Sequence, residues 1–413
     1  MNFMLVLRIV IFLTFFALLF LTQRFWFMSA WRAVGEITRP GWRGALQVAW
    51  FFALAVFVLA FFDPLLGHVF SKVGGGKWLI AAVRLWLVAS IFAYLAIRLV
   101  HGFGWIYGLL APRSSQPVNA SRRSFFRYAA YAAGSLPFAA AVYGFAAGRF
   151  SYRVERVEVP IANLPKELDG FKIAQLSDIH IGDFMPREEV RRAVNMANDL
   201  NPDLAVVTGD FISNEFDPLG DCIVELSKLR APLGTWGCNG NHEIYADAED
   251  AAQELFSQHG MKLLRQENVQ LDWRGKKLNL IGVDYQRDHM TRGPSGPMLQ
   301  GIEPLISHEH PNILLSHNPN SFHRAAEIGI ELSLAGHTHG GQVKVEIVDH
   351  SWSPAKLITD FVAGLYHLPM GKDGSGETGK RAALYVNRGL GTFGVPMRIG
   401  VLPEITLLTL RSA

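Results

Sequence analysis

Three apolar stretches long enough to cross a hydrocarbon layer fill the start of the chain, at about Phe3–Leu21, Ala45–Phe62 and Trp78–Val100. A spanning helix needs ~20 mostly apolar residues. Helices buried in a soluble core keep a polar face, and these do not. Arg8 and Arg84 are their interior charges. A fourth stretch, Tyr128–Ala147, is rich in Ala and Gly and carries Pro137, so it reads as a span or as a re-entrant helix. Seven of the ten tryptophans precede residue 110, several near stretch ends, as an interfacial aromatic belt would place them. Phe3–Leu21 lacks a small-residue cleavage site, so it reads as a span and not as a removable signal. Residues 1–150 are therefore expected to form a membrane domain of three to four transmembrane helices, and residues 151–413 a second domain.

Charge divides along the same line. Residues 1–150 carry 14 Lys and Arg against Glu36 and Asp63, a net of +12, whereas residues 151–413 carry a net of −9. The basic charge thus belongs to the membrane part, and no nucleic-acid binding is expected. The first inter-span loop holds Arg24, Arg32, Arg39 and Arg43, the second Lys72 and Lys77, and the third Arg113, Arg122, Arg123 and Arg127. Positive loops stay cytoplasmic. Four spans then deliver the chain after Arg149 to the external, periplasmic side of an inner membrane, and three would leave it in the cytoplasm. Ser121–Arg127 also resembles a twin-arginine export signal, and on that reading too the following domain lies outside. Cys222 and Cys238 are too few for a disulfide framework and lack metal-finger spacing. Cys238 sits in an apolar run and reads as a buried thiol, with a single disulfide as the alternative in an oxidising compartment.

From Arg153 the texture becomes alternating. Strands are predicted at Phe171–Leu176, Leu204–Val207, Thr235–Cys238, Leu278–Val283, Ile313–Leu315, Leu332–Leu334, Ala383–Val386 and Ile405–Leu410. Helices are predicted at Arg187–Leu200, Cys222–Leu229, Ala248–His259 and Ser321–Ile328, and Gly/Pro-rich loops at Arg292–Pro297 and Gly371–Gly379. Such alternation indicates an α/β fold with a sheet core.

Five polar pieces each follow a predicted strand: Ser177-Asp178-Ile179-His180, Thr208-Gly209-Asp210, Asn239-Gly240-Asn241-His242-Glu243, Ser316-His317-Asn318-Pro319 and Ala335-Gly336-His337-Thr338-His339-Gly340-Gly341. Ligands gather at the carboxyl ends of strands in open α/β sheets. Carboxylate, amide and imidazole donors suit divalent Mn, Fe, Zn or Mg, not a soft thiolate site. In Asp178-x-His180 and His337-x-His339, an extended backbone would send both side chains to one face. Six or seven ligands exceed what one tetrahedral ion takes and suit two ions clamping a displacement at phosphorus. His289, His308, His310, His323 and His350 lack this context. Gly374–Arg381 nearly spells a phosphate loop, but Arg381 replaces the Ser or Thr that would hold magnesium, and a strand follows where a helix is needed.

The order DxH, GD, GNH[DE], H, GHxH resembles the calcineurin-like metallophosphoesterases over roughly Phe171–Leu410. The SDIHIG start, Gly336–Gln342 and the segment from Asn387-Arg388-Gly389-Leu390-Gly391 to Pro403-Glu404-Ile405 are most similar to its bacterial membrane-associated branch. The resemblance implies a four-layer α/β/β/α sandwich. It implies that Asp178, His180 and His339 bind one divalent metal and Asn241, His317 and His337 another, with Asp210 bridging. His242 would be the non-ligand histidine that serves the phosphoryl oxygens or the leaving group, oriented by Glu243. The implied activity is hydrolysis of phosphate esters or anhydrides, of phosphodiesterase or pyrophosphatase type, by in-line attack of a metal-bridging hydroxide. Lipid-linked substrates at the bilayer fit the anchor. Ser353–Leu368, with Leu357, Ile358, Phe361, Val362, Leu365 and Tyr366, reads as a core-covering segment or as a lid for lipid chains. The alternative function is a non-catalytic metal-binding membrane scaffold or sensor.

Overall fold

The computed structural model describes residues 3–63, 65, 69–70, 72–110, 120–215, 217–286, 298–343, 345–347, 350–352, 354–357, 359–371 and 380–413. Arg113, His289, all of Arg292–Pro297, all but Gly371 of the Gly371–Gly379 loop, and Ile358 lie outside them. The chain forms two compact units, Met1–Phe145 and Ala146–Ala413.

The first unit is four helices: α1 (Phe3–Gly35), α2 (Pro40–Phe61), α3 (Gly76–Leu110) and α4 (Ala120–Ala146). All four are long and apolar enough to cross a membrane. The fourth stretch is one 27-residue helix that runs through Pro137. Large apolar side chains face outward, such as Phe52 at 71% exposure. In water such a surface would be strongly unfavourable; against lipid it is the expected one. Some polar groups bond between helices. Gln23 of α1 donates to Ser90 Oγ of α3 at 2.9 Å, and Trp86 Nε1 returns a bond to Gln23 Oε1 at 3.0 Å. Trp26 Nε1 donates to the Ser90 carbonyl at 3.1 Å. Interhelical bonds of this kind hold apolar helices together where lipid gives no hydrophobic drive.

The second unit holds strands β1 (Arg153–Ile161), β2 (Lys172–Leu176), β3 (Leu204–Thr208), β4 (Thr235–Cys238), β5 (Lys262–Leu263), β6 (Glu267–Trp273) and β7 (Lys276–Gly282). It continues with β8 (Asn312–Leu315), β9 (Leu332–Ala335), β10 (Val345–Ile347), β11 (His350–Trp352), β12 (Gly364–Pro369), β13 (Arg381–Val386) and β14 (Glu404–Ser412). Two six-stranded mixed sheets result, in the orders β1-β14-β2-β3-β4-β5 and β12-β13-β9-β8-β7-β6, and β10 pairs with β11 in a separate two-stranded ladder. The helices are α5 (Arg187–Asn198), α6 (Leu219–Leu226), α7 (Asn241–Tyr245), α8 (Glu249–Gln258) and α9 (Phe322–Glu327).

Strand side chains alternate between faces, and that period builds the layers. Leu204 and Val206 of β3, with Ile313 and Leu315 of β8, fill the core between the sheets. Ala205 and Val207 turn to the opposite side, against Val190, Val194, Ile223 and Phe256 of α5, α6 and α8. Leu314 of β8 packs outward on Phe322 and Ala325 of α9. The outcome is the expected α/β/β/α sandwich. Every predicted strand is an interior strand of a sheet, and all four sheet edges, β1, β5, β6 and β12, were not expected from the sequence. Interior strands are buried on both faces and read as continuous apolar runs. Edges carry charge, as in Arg153–Ile161 and Glu267–Trp273.

The described residues 359–368 of Ser353–Leu368 do not form a lid. Phe361 and Val362 are buried, and β12 pairs antiparallel with β13 through Leu365 and Tyr366. The core-covering alternative is the one observed for these residues, because Phe361 packs on Phe322 and Tyr366.

Candidate active site

Strands β2, β3 and β4 of one sheet run parallel to one another, as do β8 and β9 of the other. Their carboxyl ends carry the five polar pieces. Gln175, between the sheets, donates to Thr208 Oγ1 and to the Ala335 carbonyl, both at 3.0 Å, and so ties the two ends together beneath the loops.

The donor atoms of Asp178, His180, Asp210 and His339 lie within 4.8 Å of one another, and so do those of Asp210, His317 and His337. Asp210 belongs to both groups. Its Oδ2 is 3.1 Å from His317 Nε2 and 3.5 Å from His180 Nε2. His180 Nε2 and His339 Nε2 approach to 3.1 Å, and His339 Nε2 lies 3.3 Å from Asp178 Oδ1. Asn241 Oδ1 is 2.7 Å from His337 Nδ1, which brings it beside the second group. Outside both groups, His308 and His323 are exposed and His310 is half-buried, and the side chain of His350 lies outside the described residues.

The route to convergence differs from the extended backbone expected. Asp178 and His180 both sit at φ 49°, Asp210 at 56°, His337 at 74° and His339 at 52°. This is left-handed backbone, uncommon for a residue with a Cβ. The motifs lie just past the strand ends, where turns replace the pleat, so Asp178 and His180 converge through bends, and His337 and His339 go to different groups. Loop-to-loop bonds hold the bends: Asp178 N–H to the Gly209 carbonyl and His180 N–H to the Asp210 carbonyl at 3.0 Å each, and Gly391 N–H to the Asp178 carbonyl at 2.8 Å. Two glycines are required for space. A Cβ on Gly240 would overlap Asp210 Oδ1, and one on Gly336 would overlap Ser177 Oγ and Asp178 Oδ2.

The chemistry of the set fits cations. A carbonyl can only accept, so the 2.6 Å contact of His317 Nδ1 with the Thr208 carbonyl puts the proton on Nδ1. His317 Nε2 is buried without a hydrogen-bond partner and faces Asp210 Oδ2 at 3.1 Å. Burial pulls His180 down to about 3, His337 to about 4 and His339 well below the ordinary value, which keeps these imidazoles neutral and able to ligate. Burial opposes charge on His317 as well, but the Asp210 carboxylate outweighs it and lifts His317 to about 10. Burial also pushes Asp178 up to about 6. Two buried carboxylates beside three imidazoles held neutral favour positive charge at their centre.

His242 stands beside the groups without joining them. Its backbone N–H donates to Asp210 Oδ1 at 2.9 Å, and its Nδ1 meets the Ser213 carbonyl at 2.8 Å. Glu243 does not orient His242. Its buried carboxylate accepts N–H bonds from Gly240, Asp210, Phe211 and Ile212 at 2.8–3.3 Å. The carboxylate starts on α7 and is taken up by these backbone donors of the Asp210 loop, while the imidazole is held by the Ser213 carbonyl instead. Arg398 carries no motif, yet it is fully buried and donates to the carbonyls of Arg388, Gly389 and Gly391, with a 3.4 Å contact to the His339 carbonyl. Its one sequence signal is a lone charge within Val395–Val401. Ser213, whose Oγ is 3.0 Å from His180 Nδ1, carries none.

A family model described as calcineurin-like phosphoesterase matches residues 171–341. A transmembrane protein with metallophosphoesterase domain from Danio rerio is 32% identical over 66% of this chain and 60% of its own length. Its counterpart from Bos taurus is 34% identical over 63% of this chain and 57% of its own. The chain thus spans about 60% of the length of these two relatives. The metallophosphoesterase YkuE of Bacillus subtilis is 32% identical over 71% of this chain and 98% of its own length. With the motif order, the sandwich and a nearly full-length bacterial relative in agreement, the chain belongs to the calcineurin-like metallophosphoesterase family.

Proposed function

We propose that this chain is a membrane-anchored phosphohydrolase with a dinuclear centre. Asp178, His180 and His339 hold one divalent cation, Asn241, His317 and His337 hold a second, and the Asp210 carboxylate is shared. The observation that carries this reading is the membership of Asp210 in both donor groups. A pair of divalent ions supplies an acidified water and positive charge against the phosphoryl oxygens.

The protein's own groups do the rest. The Asp210 carboxylate is fixed at Oδ1 by the His242 amide, which leaves Oδ2 to face both histidine sets. Because the Ser213 carbonyl can only accept, His242 carries its proton on Nδ1, and Nε2 is the nitrogen that exchanges a proton with the leaving oxygen. The positive-inside pattern and four spans favour a periplasmic site on an inner-membrane anchor. Phosphodiesters and pyrophosphates, lipid-linked ones included, are the substrate class.

The test uses the full chain in detergent with manganese and bis(4-nitrophenyl) phosphate. Asp210→Ala and His339→Ala are expected to lose about 10³-fold or more in kcat/KM, together with bound metal. His242→Ala is expected to keep its metal while kcat falls about 10²-fold. Full hydrolysis by either ligand variant overturns the assignment.

A further inference from the structure

Among the described residues of Ala146–Ala413, two large apolar side chains stand in solvent, Tyr245 at 55% and Phe393 at 52% exposure. Every other large apolar side chain described there is buried or partly covered. The two do not lie at random, since both rings border His242. The Phe393 centroid is 4.6 Å from the His242 ring and the Tyr245 centroid 5.7 Å from it. Phe393 also lies within 27° of parallel to the His180 ring at 6.0 Å.

Phe393 is held in place. Its N–H donates to Gln342 Oε1 at 2.6 Å, and Gln342 Nε2 donates back to the Phe393 carbonyl at 2.8 Å. Gln342 follows directly on the 3₁₀ turn His339–Gly341, so the clamp couples the ring to a ligand-bearing loop. An exposed aromatic side chain gains by being covered, and pinning its backbone lowers the entropy lost when a ligand covers it.

We infer that Phe393 and Tyr245 form an apolar lip that receives the leaving group, so that the site selects phosphodiesters whose leaving oxygen bears an apolar substituent. This rests on the phosphohydrolase reading and on His242 serving the leaving oxygen. In the step itself, the oxygen of water bonds to phosphorus as the water gives up a proton, and the P–O bond to the apolar substituent breaks. The leaving oxygen takes up a proton through His242 Nε2, so that the proton released by water balances the one taken up. What that oxygen carries must lie beside His242, between the two exposed rings.

The experiment follows methyl phosphate release by the full chain in detergent with manganese, from methyl phosphodiesters with butyl, 4-nitrophenyl or glyceryl leaving groups. Butyl and glyceryl are both alcohols, so their comparison isolates apolarity, and the aryl ester separates a ring from a chain. The wild type is expected to prefer butyl over glyceryl by about tenfold in kcat/KM. Phe393→Ser and Tyr245→Ser should each cut that ratio about threefold or more. Phe393→Leu should restore most of the butyl preference, whereas loss of the aryl preference in this variant would mark stacking on a ring. Equal ratios in wild type and both serine variants, or a wild type that treats butyl and glyceryl alike, overturn the lip alone. A wild type that cleaves none of the three esters overturns the phosphohydrolase reading and the lip with it.

Discussion

Glu243 fastens the loop that presents Asp210. Its carboxylate takes four backbone N–H groups, three of them from residues 210–212. Burial and the neighbouring Asp210 carboxylate push its pKa up to about 7, and the amide donors draw it back toward ionisation. Removing it strands buried donors, at about 1–3 kcal/mol for each one left unsatisfied. Glu243→Ala is therefore expected to lower the thermal midpoint of the full chain by roughly 5–10 °C, and to reduce manganese occupancy because the Asp210 backbone loosens. An unchanged midpoint and occupancy would show that the four bonds carry no weight. At this scale the motif residues were legible because Asp, His and Asn recur directly after apolar strands. The geometry was not, because five of the nominated side chains hang from left-handed backbone beyond the pleat. Glu243's bonding to backbone and Arg398's burial depend on segments distant in sequence, which no local pattern reports.

Helices α5 and α6 are joined on the outer layer by one carboxylate. Glu225 of α6 accepts from Arg187 Nε at 2.6 Å, Arg191 Nη2 at 2.9 Å and Lys228 Nζ at 2.6 Å. The carboxylate is buried while the three cations remain partly in water. Hydrogen bonds from these cations, Arg191 foremost, hold the Glu225 pKa well below its ordinary value of 4.5. A depressed folded-state value adds stability above pH 4.5 and gives it up as the pH falls through the acid range. Glu225→Gln is expected to cost about 1–2 kcal/mol at pH 7, the exposed partners limiting the effect. Thermal melts should show the gap from wild type closing below pH 4.5, and a gap that stays constant with pH would contradict the ion-pair account. Strand legibility at this scale follows burial. Eight interior strands announce themselves as apolar runs, while the edges β1 and β6 mix charges into theirs and α7 is too short for a helical period to register.

On the scale of the whole molecule, the outward-facing apolar side chains of α1–α4 and the interhelical polar bonds around Ser90 suit a lipid solvent. Spans are legible from length alone, because nothing else in a chain needs so many apolar residues in sequence. Which side the hydrolase unit faces depends on whether α4 crosses. A dual reporter fused after Ala413 is expected to show alkaline phosphatase activity, which needs the periplasm, and no cytoplasmic fluorescence. The reverse pattern would place the unit inside and direct attention to cytoplasmic precursors.

In the proposed centre seven side chains hold two ions that share Asp210. Metal analysis and electron paramagnetic resonance of the manganese-loaded full chain measure this together. Two manganese ions per chain with an exchange-coupled spectrum are expected, and the coupling should vanish in Asp210→Ala. One uncoupled ion per chain, or none, would contradict it.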